Sequence, residues 1–419
     1  MAKVIKRVCL VNPQGYVTYP APLGKTDTGG QTLYVLQLAK ALGALGIKVD
    51  IFVRKFDELS NNENPWPNVN IIRIPCGPKN FVRKEGLYDL MSEFAENIML
   101  FLEKNNRKYE IIHSHYWDGG YAGILLSKML DVPHIHTPHS LGKAKKIEMD
   151  VKALPVKKLA PVYHFHKRIA IEQKIMNKAN AIVVICETSR IEIFQHYIVD
   201  FDKVHVRYPG IDTEYFNTVK NNVDRKINLE PNSILTVSRL VPAKGIDRVI
   251  RAIAKLNNKV NFHLYIAGGS TNGELSKEEQ FTKKELNALI KKYRLVKKVS
   301  FIGFVDHDQI LPAYYRAADV FILGGRYEPF GLTTLEAMAC GTVPVVSTAA
   351  GSREVIIDGL NGFITDTSNY STLAKLIQKV LTDQKLKKRT SENARLTIQD
   401  HYSWEKVAAK FVKFYLRYL

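Results

Sequence analysis

The stretch DVFILGGRYEPFGLTTLEAM (residues 319–338) decides the fold, because a strand signal runs directly into a helix signal. Pro329 and Gly331 mark the turn, which leaves Glu328 ahead of the helix and Glu336 inside it. The preference of a first helical turn for acidic residues explains one glutamate near the start, but not one on each side of the turn. Free N–H groups at a helix start bind phosphate oxygens, and carboxylates accept hydrogen bonds from hydroxyl groups. The stretch therefore predicts a strand–turn–helix unit that binds a polar, anionic ligand.

The same alternation of strand and helix signals continues along the chain. Segments with the apolar spacing of a helix face separate the strands, as in TLYVLQLAKALGALG (32–46) and YSTLAKLIQKVLTD (370–383). Such alternation predicts α/β units on parallel sheets, and nearly continuous apolar strands fit sheets that are covered on both faces. The predicted strands are RVCLVN, VDIFVR, NIIRIP, EIIHSHY, PHIHTPH, AIVVIC and VHVRYPG in the first half, and SILTVSR, FHLYIAGG, VSFIGF, DVFILGG, VPVVSTAAG and GFITD in the second.

The length and the midpoint of the chain predict two domains. A chain of 419 residues is too long for one compact core. The polar stretch 208–233 opens with Pro-Gly and is typical of an interdomain linker. We therefore predict an N-terminal Rossmann-like domain over 1–207 and a second over 208–395, both doubly wound parallel-sheet domains that face a cleft. The amphipathic helix within 396–419 either closes one domain or crosses back onto the N-terminal one.

Composition narrows the class of protein. The 60 basic against 41 acidic residues give a net charge of +19, which predicts an anionic partner. With 46% hydrophobic residues the chain can bury a large core, so wholesale disorder is excluded. The four cysteines form no C-x-x-C pair, which fits a reducing compartment and argues against disulfides or a zinc site. No apolar run approaches 18 residues, so we expect a cytoplasmic protein without a transmembrane segment.

Polar segments follow several strands, and ligands of parallel sheets bind at the carboxyl ends of the strands. HSHYWDGG (113–120) and HTPHSLGKAK (136–145) bring His113, His115, His136 and His139 near one rim, with Asp118 as its carboxylate. A histidine cluster suggests a metal, but these spacings lie on strand ends and lack a cysteine–carboxylate set. Hydrogen-bonding and loop-structuring roles are therefore favoured, and His139 is the best placed to touch a substrate.

Two loops and one set of cations are candidates for phosphate binding. The Gly-Gly pair of TDTGGQ (26–31), at a helix start, fits either an anion site or a turn that needs glycine for positive φ. In SRLVPAKG (238–245) two cations five residues apart suit a diphosphate. Basic residues of the first half are either solvated surface or, where two or three converge, a phosphate site; they are Lys84, Lys143, Lys145, Lys146, Lys167 and Arg168.

The sequence DHD (306–308) has two interpretations. D-x-D holds a metal in some sugar-nucleotide enzymes, whereas an aspartate just before a helix pattern is more simply an N-cap. We favour Asp308 as the N-cap of the helix in QILPAYYRAAD.

The E-x(7)-E spacing of EPFGLTTLE, with SRLVPAKG upstream and GFV (303–305) between, resembles the family-four retaining glycosyltransferases of the GT-B fold. The resemblance covers nearly the whole chain. It implies that Arg239 and Lys244 hold the donor diphosphate, that Glu328 binds the transferred hexose, and that Glu336 binds the ribose. With His139 at the transferred sugar, the implied catalytic set is His139, Arg239, Lys244 and Glu328. The implied further donor contacts are Gly29, Val305, Phe330, Gly331, Leu332 and Thr333.

The first half is similar to the branch of that family that glycosylates fructose 6-phosphate, which includes the sucrose-phosphate and mannosylfructose-phosphate synthases. The segments that carry the similarity are PLGKTDTGGQ, RIPCGPKNFVRKE, HSHYWDGGYAG, HTPHSLGKAK and FHKRI. The resemblance implies that Gly30 and Gln31 meet the fructose and that three cations grip its phosphate. The implied acceptor residues are Gly30, Gln31, Lys84, Asp118, Lys145 and Arg168.

The reaction expected from this resemblance moves a hexose, with retention, from a nucleotide sugar to fructose 6-phosphate. GDP-mannose is slightly favoured over UDP-glucose as donor, so the product is mannosylfructose-phosphate or sucrose 6-phosphate. No metal or other cofactor is required and Mg²⁺ is at most stimulatory, because fixed cations supply the counter-charge to the leaving diphosphate. The alternatives are a glycosyltransferase that acts on a lipid at a membrane surface, and a basic nucleic-acid-binding protein, although the lysines form no basic stripe.

Overall fold

The structure is a computed structural model that describes residues 4–23, 25–59, 61–151, 164–256, 259–269 and 275–419. The chain forms two compact units. The N-terminal unit comprises Met1–Gly210 together with Trp404–Leu419, and the C-terminal unit comprises Ile211–Ser403. The predicted boundaries lay at 207 and 395, so the observed C-terminal unit begins and ends a few residues later.

The N-terminal unit is built on an eight-stranded sheet with the order β3-β4-β2-β1-β5-β6-β7-β8. All neighbouring strands are parallel except β3, which pairs antiparallel with β4 at the edge. The strands are β1 (Arg7–Val11), β2 (Lys48–Lys55), β3 (Glu63–Trp66), β4 (Val69–Pro75), β5 (Ile111–His115), β6 (His134–Thr137), β7 (Ala181–Val184) and β8 (Val204–Val206). The helices of this unit are α1 (Gly30–Ala44), α2 (Met91–Lys104), α3 (Tyr116–Leu130), α4 (Gly142–Val151), α5 (Phe165–Lys178) and α6 (Glu187–His196), joined at the C-terminus by α13 (Trp404–Tyr415).

The C-terminal unit is built on a six-stranded parallel sheet with the order β11-β10-β9-β12-β13-β14. Its strands are β9 (Ser233–Val237), β10 (His263–Ala267), β11 (Val299–Gly303), β12 (Val320–Leu323), β13 (Val343–Ser347) and β14 (Phe363–Thr365). Its helices are α7 (Ile246–Ala254), α8 (Lys277–Lys292), α9 (Leu311–Ala317), α10 (Leu332–Ala339), α11 (Tyr370–Thr382) and α12 (Gln384–Thr397). A π-helical turn, Ile398–Tyr402, follows α12.

The predicted α/β class is confirmed, and each predicted strand is present. Apolar β-branched runs form these strands because both faces of each sheet are covered, as the fully buried Val320–Leu323 shows. The sequence reasoning missed β3, because ENPW contains a proline that lowers its strand signal. An antiparallel edge strand tolerates that proline, since one side of its backbone has no neighbouring strand.

The last helix, α13, packs in the N-terminal unit. Trp404, Phe411 and Phe414 are buried in the same apolar core as residues of β1, β2 and α1. The Trp404 ring lies 5.4 Å from that of Tyr34 on α1, in an edge-to-face contact. Of the two arrangements that the sequence left open, the structure shows the helix that returns to the N-terminal unit.

The polar stretch 208–233 was interpreted as a linker, but most of it belongs to the C-terminal unit. Phe216 is buried, with its ring 5.1 Å from that of His307. Arg316 donates from Nε and Nη2 to both carboxylate oxygens of Asp224, at 2.7 and 2.9 Å. These contacts attach the segment firmly, because each joins it to a residue far along the chain.

Candidate functional site

Two adjacent strands of the C-terminal unit, β9 and β12, place the loops 238–245 and 324–331 side by side. The loops touch through backbone. A Cβ on Gly245 would lie 2.0 Å from the carbonyl oxygen of Gly324, and Gly245 has φ +64°. Glycine is therefore required there for both space and conformation. The two loops that sequence reasoning selected separately are thus parts of one surface.

Arg326 fixes the geometry of these loops. Its Nη1 and Nη2 donate to the two carboxylate oxygens of Asp247, both at 2.7 Å. Nη1 also donates to the carbonyl of Pro242 at 2.8 Å, and the backbone N–H of Arg326 donates to the carbonyl of Ala243 at 2.8 Å. One residue of the second loop therefore holds the segment that carries Lys244. Sequence reasoning missed Arg326, although its place inside the strand-to-helix turn was a signal for it.

The predicted diphosphate cations differ in their environment. Lys244 Nζ forms an ion pair with Glu328, and both side chains are only partly exposed. Arg239 is exposed and makes no ion pair with the residues that the structure describes. The structure therefore brings Lys244 and Glu328 together and leaves the Arg239 guanidinium open to a ligand.

The turn before α10 has the expected helix-start geometry. Gly331, at φ +98°, is the residue before the helix, and a Cβ there would lie 2.6 Å from a methyl group of Leu323. Phe330 is buried, and its carbonyl accepts the N–H of Ser352 at 2.7 Å. The first N–H groups of a helix have no intrahelical acceptor, so those of Leu332 and Thr333 suit a phosphate oxygen.

Glu336 lies in a polar network that sequence reasoning did not foresee. The residue is 3% exposed. One carboxylate oxygen lies 3.0 Å from Nε2 of His307, and the other accepts the hydroxyl of Tyr315 at 2.9 Å. The Nδ1 of His307 in turn lies 2.6 Å from a carboxylate oxygen of Asp308. The ribose contact of Glu336 stays a prediction.

The prediction that Asp308 caps α9 is wrong. Helix α9 begins at Leu311, and the residue before it makes no side-chain cap. Asp306 instead accepts the N–H of Gln309 at 2.8 Å through its carboxylate. The Asp308 carboxylate is drawn to the imidazole of His307, because a nearby cation outweighs a neutral N–H as a partner. Val305, half-buried, lies just before this turn.

In the N-terminal unit, β1, β5 and β6 are neighbours, so the polar segments that follow them meet at one edge. His113 bonds to the hydroxyls of Tyr415 and Thr137 at 2.7 and 2.8 Å. The Ser114 hydroxyl lies 2.6 Å from His134 Nε2 and 2.9 Å from His136 Nδ1. The predicted hydrogen-bonding role of this histidine cluster is confirmed for these residues.

His139 lies at the same edge. It has φ +57°, and its Nε2 lies 3.0 Å from Nδ1 of His115. Burial lowers the pKa of His139 to about 3, so its ring is neutral. The contact with a transferred sugar stays a prediction. Among the described residues, no group of three or more His, Cys, Asp or Glu side chains is arranged to hold a metal ion.

The glycine pair at the start of α1 leaves open space. Gly29 has φ −174°, and no described atom outside Gly29 and its two chain neighbours lies within 4 Å of the place that its Cβ would take. The explanation that Gly29 serves a turn of positive φ is therefore wrong. Gly30 is the first residue of α1, and Gln31 donates to the Asn12 side-chain carbonyl at 2.7 Å. The start of α1 thus has room for a ligand.

Three predicted cations converge in the N-terminal unit. Arg168 Nη1 donates to the hydroxyl of Tyr116 at 2.9 Å, and Lys84 also lies within electrostatic range of that hydroxyl. Burial, together with the charges of Lys84 and Arg168, lowers the pKa of Lys145 to about 8. Residues distant in sequence therefore lie within electrostatic range of one another, and the phosphate site that they were predicted to form stays a prediction.

These three cations are not equally available to a ligand. Arg168 is 3% exposed, and each of its nitrogens donates within the protein, to Glu172, Tyr116 and Ser140. Lys84 Nζ pairs with the Asp27 carboxylate at 2.7 Å and is one quarter exposed. The geometry thus makes Arg168 a part of the scaffold and leaves Lys84 and Lys145 nearer to solvent.

Asp118 contributes a buried carboxylate to the same region. Its Oδ1 accepts the N–H of Gly119 at 2.6 Å, whereas its Oδ2 is buried without a partner among the described residues. Burial raises the pKa of Asp118 to about 7, although the Gly119 N–H and the cations Arg168 and Lys84 oppose that shift. A hydroxyl group of a ligand would satisfy Oδ2.

Comparison with known proteins defines the class. Residues 28–215 match the family described as Glycosyltransferase Family 4, and residues 219–397 match Glycosyl transferases group 1. The chain is 33% identical to a mannosylfructose-phosphate synthase of Agrobacterium fabrum, over 97% of this chain and 90% of that protein. The chain belongs to this family of glycosyltransferases, and its two α/β units have the GT-B class of fold.

Further proteins are similar along nearly the whole chain. A probable sucrose-phosphate synthase of Thermosipho melanesiensis is 33% identical, over 97% of this chain and 95% of that protein. The solved structure of a sucrose-phosphate synthase from Thermosynechococcus elongatus superposes with a TM-score of 0.83 at 28% identity, covering 98% of each chain. D-inositol 3-phosphate glycosyltransferases are also similar, as in Pseudarthrobacter chlorophenolicus at 27% identity, over 97% of this chain and 94% of that one.

None of the helices that the structure describes combines the length and apolar character needed to cross a bilayer.

Proposed function

We propose that this glycosyltransferase moves a hexose from a nucleotide sugar to fructose 6-phosphate. The observation that carries the proposal is a positive region around the Tyr116 hydroxyl, to which Arg168 donates. Lys145 lies within electrostatic range of Lys84 and of Arg168, and the buried carboxylate of Asp118 lies within range of the same two cations. A sugar phosphate presents an anionic group next to hydroxyl groups, and such a ligand needs cations beside hydrogen-bond acceptors. In this proposal Lys84 and Lys145 bind the phosphate directly, Arg168 holds the site in shape, and Asp118, Gly30 and Gln31 face the ketose.

The C-terminal unit binds the donor in this proposal. Arg239 and the α10 start neutralise the diphosphate, and Lys244 shares its ammonium group between a phosphate oxygen and Glu328. Lys244 can do so because an ammonium group carries three donors. Glu328 then accepts from a hydroxyl of the hexose with its remaining lone pairs. Val305 lies by the nucleobase in this proposal, and the backbone of Phe330 to Thr333 contacts the phosphates.

The proposed chemistry is electrostatic. As the glycosidic bond to the diphosphate breaks, negative charge grows on the leaving oxygen, and Arg239, Lys244 and the helix N–H groups stabilise it. The acceptor hydroxyl attacks from the same face, and its proton passes to the departing diphosphate. Because side chains and backbone supply the counter-charge, we propose that no cofactor is required and that Mg²⁺ is at most stimulatory. The four cysteines are buried thiols that form no disulfide in the described part of the chain, which fits our proposal of a cytoplasmic setting.

GDP-mannose and UDP-glucose are the two donors that we propose, with GDP-mannose slightly favoured. The support for this order is the relationship to the mannosylfructose-phosphate synthase, which matches over nearly the whole chain. The second relative at the same identity is a probable sucrose-phosphate synthase, which keeps UDP-glucose close behind.

A second acceptor fits the same cation site. The D-inositol 3-phosphate glycosyltransferases are similar along 97% of this chain. Inositol phosphate, like fructose 6-phosphate, is a phosphate ester surrounded by hydroxyl groups. The three-cation site accepts the phosphate of either compound, so the hydroxyl contacts decide between them.

The test is a donor-by-acceptor screen that follows release of the nucleotide. UDP-glucose, GDP-mannose and their relatives are each paired with fructose 6-phosphate, fructose, inositol 3-phosphate and water. We expect turnover with fructose 6-phosphate and at most slow hydrolysis with water. Glu328→Ala is the inactive control. Absence of turnover with fructose 6-phosphate and every donor would refute the proposal, and turnover with inositol 3-phosphate alone would establish the second acceptor.

A further inference from the structure

His307 is bonded on both sides of its ring to carboxylates. Nδ1 lies 2.6 Å from Oδ1 of Asp308, and Nε2 lies 3.0 Å from Oε1 of Glu336. The side chain is 16% exposed, and the side chain of Glu336 is 3% exposed. His307 stands in the turn between β11 and α9, whereas Glu336 lies in α10, so the contact joins two segments that meet only through the fold.

The two contacts fix the charge of the ring. A neutral imidazole has one N–H, so it can donate to one carboxylate but not to two. Ionised carboxylates only accept hydrogen bonds, so two of them require a ring that is protonated on both nitrogens. Burial alone would lower the pKa of His307, but the Glu336 charge and the hydrogen bonds to Asp308 and Glu336 raise it to about 10. His307 is therefore a cation at neutral pH.

The consequence for Glu336 is a fixed carboxylate. The buried hydroxyl of Tyr315 binds its second oxygen at 2.9 Å, so each oxygen has one donor within the protein. A carboxylate has about four lone-pair sites, and two remain for a ligand. Without His307 the buried carboxylate of Glu336 would lose its counter-charge and the donor to one of its oxygens, and a buried charge without a partner is unfavourable.

We propose that His307 is a positioning residue for nucleotide binding: its cationic ring holds Glu336 ionised and in one orientation, ready to accept the ribose hydroxyls of the donor. This inference rests on the donor role of Glu336 in the proposed function. It predicts that His307 affects the ribose part of the donor and leaves the diphosphate part unchanged.

The experiment separates those two parts by choice of probe. Calorimetry measures the Kd of UDP or GDP, whichever binds more tightly, of its 2′,3′-dideoxy counterpart, and of inorganic pyrophosphate. For His307→Gln we expect ~10-fold weaker binding of the ribonucleotide, since a hydrogen bond to a charged group contributes about that much. Binding of the dideoxynucleotide and of pyrophosphate should stay as in the wild type. A loss that is equal for all three probes, or no loss for any, would overturn the inference.

The variant Glu336→Gln separates two explanations for a negative result with His307→Gln: either His307 does not position Glu336, or Glu336 itself does not bind the donor. If Glu336→Gln weakens the ribonucleotide selectively and His307→Gln does not, the inference about His307 alone falls. If Glu336→Gln changes the Kd of the ribonucleotide and that of the dideoxynucleotide equally, Glu336 does not bind the ribose. In that case His307 cannot position it for that role either. His263→Gln is the matched control. That histidine, in the same unit at the start of β10, bonds to the Ser300 hydroxyl at 2.8 Å and should tolerate glutamine without effect on any probe.

Asp308→Asn gives a second variant that keeps the fold and tests the charge. Asp308 and Glu336 are the ionised groups that bond to the ring, and the uncharged Phe216 ring covers it. Removal of the Asp308 charge lowers the pKa of His307, so ribonucleotide affinity should decline at a lower pH than in the wild type. The hydrogen bond from Tyr315 to the other oxygen of Glu336 is left in place by this variant. A Kd–pH profile identical to the wild type, up to pH 10, would contradict the inference.

Discussion

Arg168 in the N-terminal unit and Arg239 in the C-terminal unit were both predicted to bind phosphate groups, Arg168 that of the acceptor and Arg239 those of the donor. Arg168 is 3% exposed, and its guanidinium is bonded to Glu172, Tyr116 and Ser140. Arg239 is exposed and has no ion pair among the described residues. The difference teaches that a cation near a phosphate site either builds the site or binds the ligand, and that burial decides which.

The largest expected effect is a loss of stability when the buried Arg168 is replaced. Arg168→Ala leaves Glu172, which is 1% exposed, without its counter-charge. We expect a loss of about 3–5 kcal/mol in the free energy of unfolding, because a buried ion pair with one partner removed leaves an uncompensated charge. Urea denaturation measures it, with Lys178→Ala, exposed on the same helix, as the matched control. Wild-type stability together with weaker binding of fructose 6-phosphate would instead make Arg168 a ligand-binding residue.

Replacement of the exposed Arg239 should instead reduce activity and leave stability nearly unchanged. For Arg239→Ala we expect kcat/KM to fall ~10²–10³-fold, as for the loss of one donor to a developing charge. The free energy of unfolding should change by less than about 0.5 kcal/mol, since the site is on the surface. Steady-state kinetics and urea denaturation are measured on the same samples. Lys255→Ala, at the far end of α7, controls for loss of surface charge. Activity within a factor of two of the wild type would remove Arg239 from the site.

A third arginine, Arg326, is intermediate between Arg168 and Arg239. It is partly exposed, like a ligand-binding residue, but its guanidinium forms a bidentate ion pair with Asp247. Arg326→Lys keeps the charge and loses the planar fork. We expect ~10-fold weaker donor binding, from the loss of charge-assisted hydrogen bonds that hold the Lys244 segment. The acceptor KM should not change. If the Arg326–Asp247 pair acts as a unit, combining the variant with Asp247→Asn should add little to either single effect, and full additivity would contradict that view.

The smallest expected effect concerns pH and the cation cluster of the N-terminal unit. The pKa of Lys145 is about 8, so this lysine is charged below pH 8 and loses its charge as the pH rises through that value. We therefore expect the KM for fructose 6-phosphate to rise about threefold between pH 7 and pH 9, as for the loss of one partly exposed ion pair. Lys145→Arg should flatten the rise, since arginine stays protonated.

Asp118 complicates that profile, because its pKa is about 7 and it gains negative charge over part of the same range. Asp118→Asn removes this contribution, so the profile of the double variant with Lys145→Arg should be flat. A rise that persists unchanged in Lys145→Arg would show that Lys145 does not bind the acceptor phosphate.

Much of the fold could be predicted from the sequence because its signals are local. All strands of the two sheets except β3 were found from apolar β-branched runs, and the turn Glu328–Gly331 from its proline and glycine. The edge strand Glu63–Trp66 was missed because its stability comes from pairing with β4 rather than from its own residues. The contact of His307 with Glu336 spans 29 positions, and no local pattern carries it.

The sequence by itself determined the α/β class, the strand-end loops and the set of candidate cations, because residue type and spacing fix local backbone preference and charge. Only the tertiary structure decided that Arg168 is bonded inside the protein, that Lys145 lies within electrostatic range of Lys84 and Arg168, and that both ring nitrogens of His307 face carboxylates. The physical reason is that burial and partner geometry depend on residues far apart in the chain, and these set both the pKa of a group and its freedom to bind a ligand.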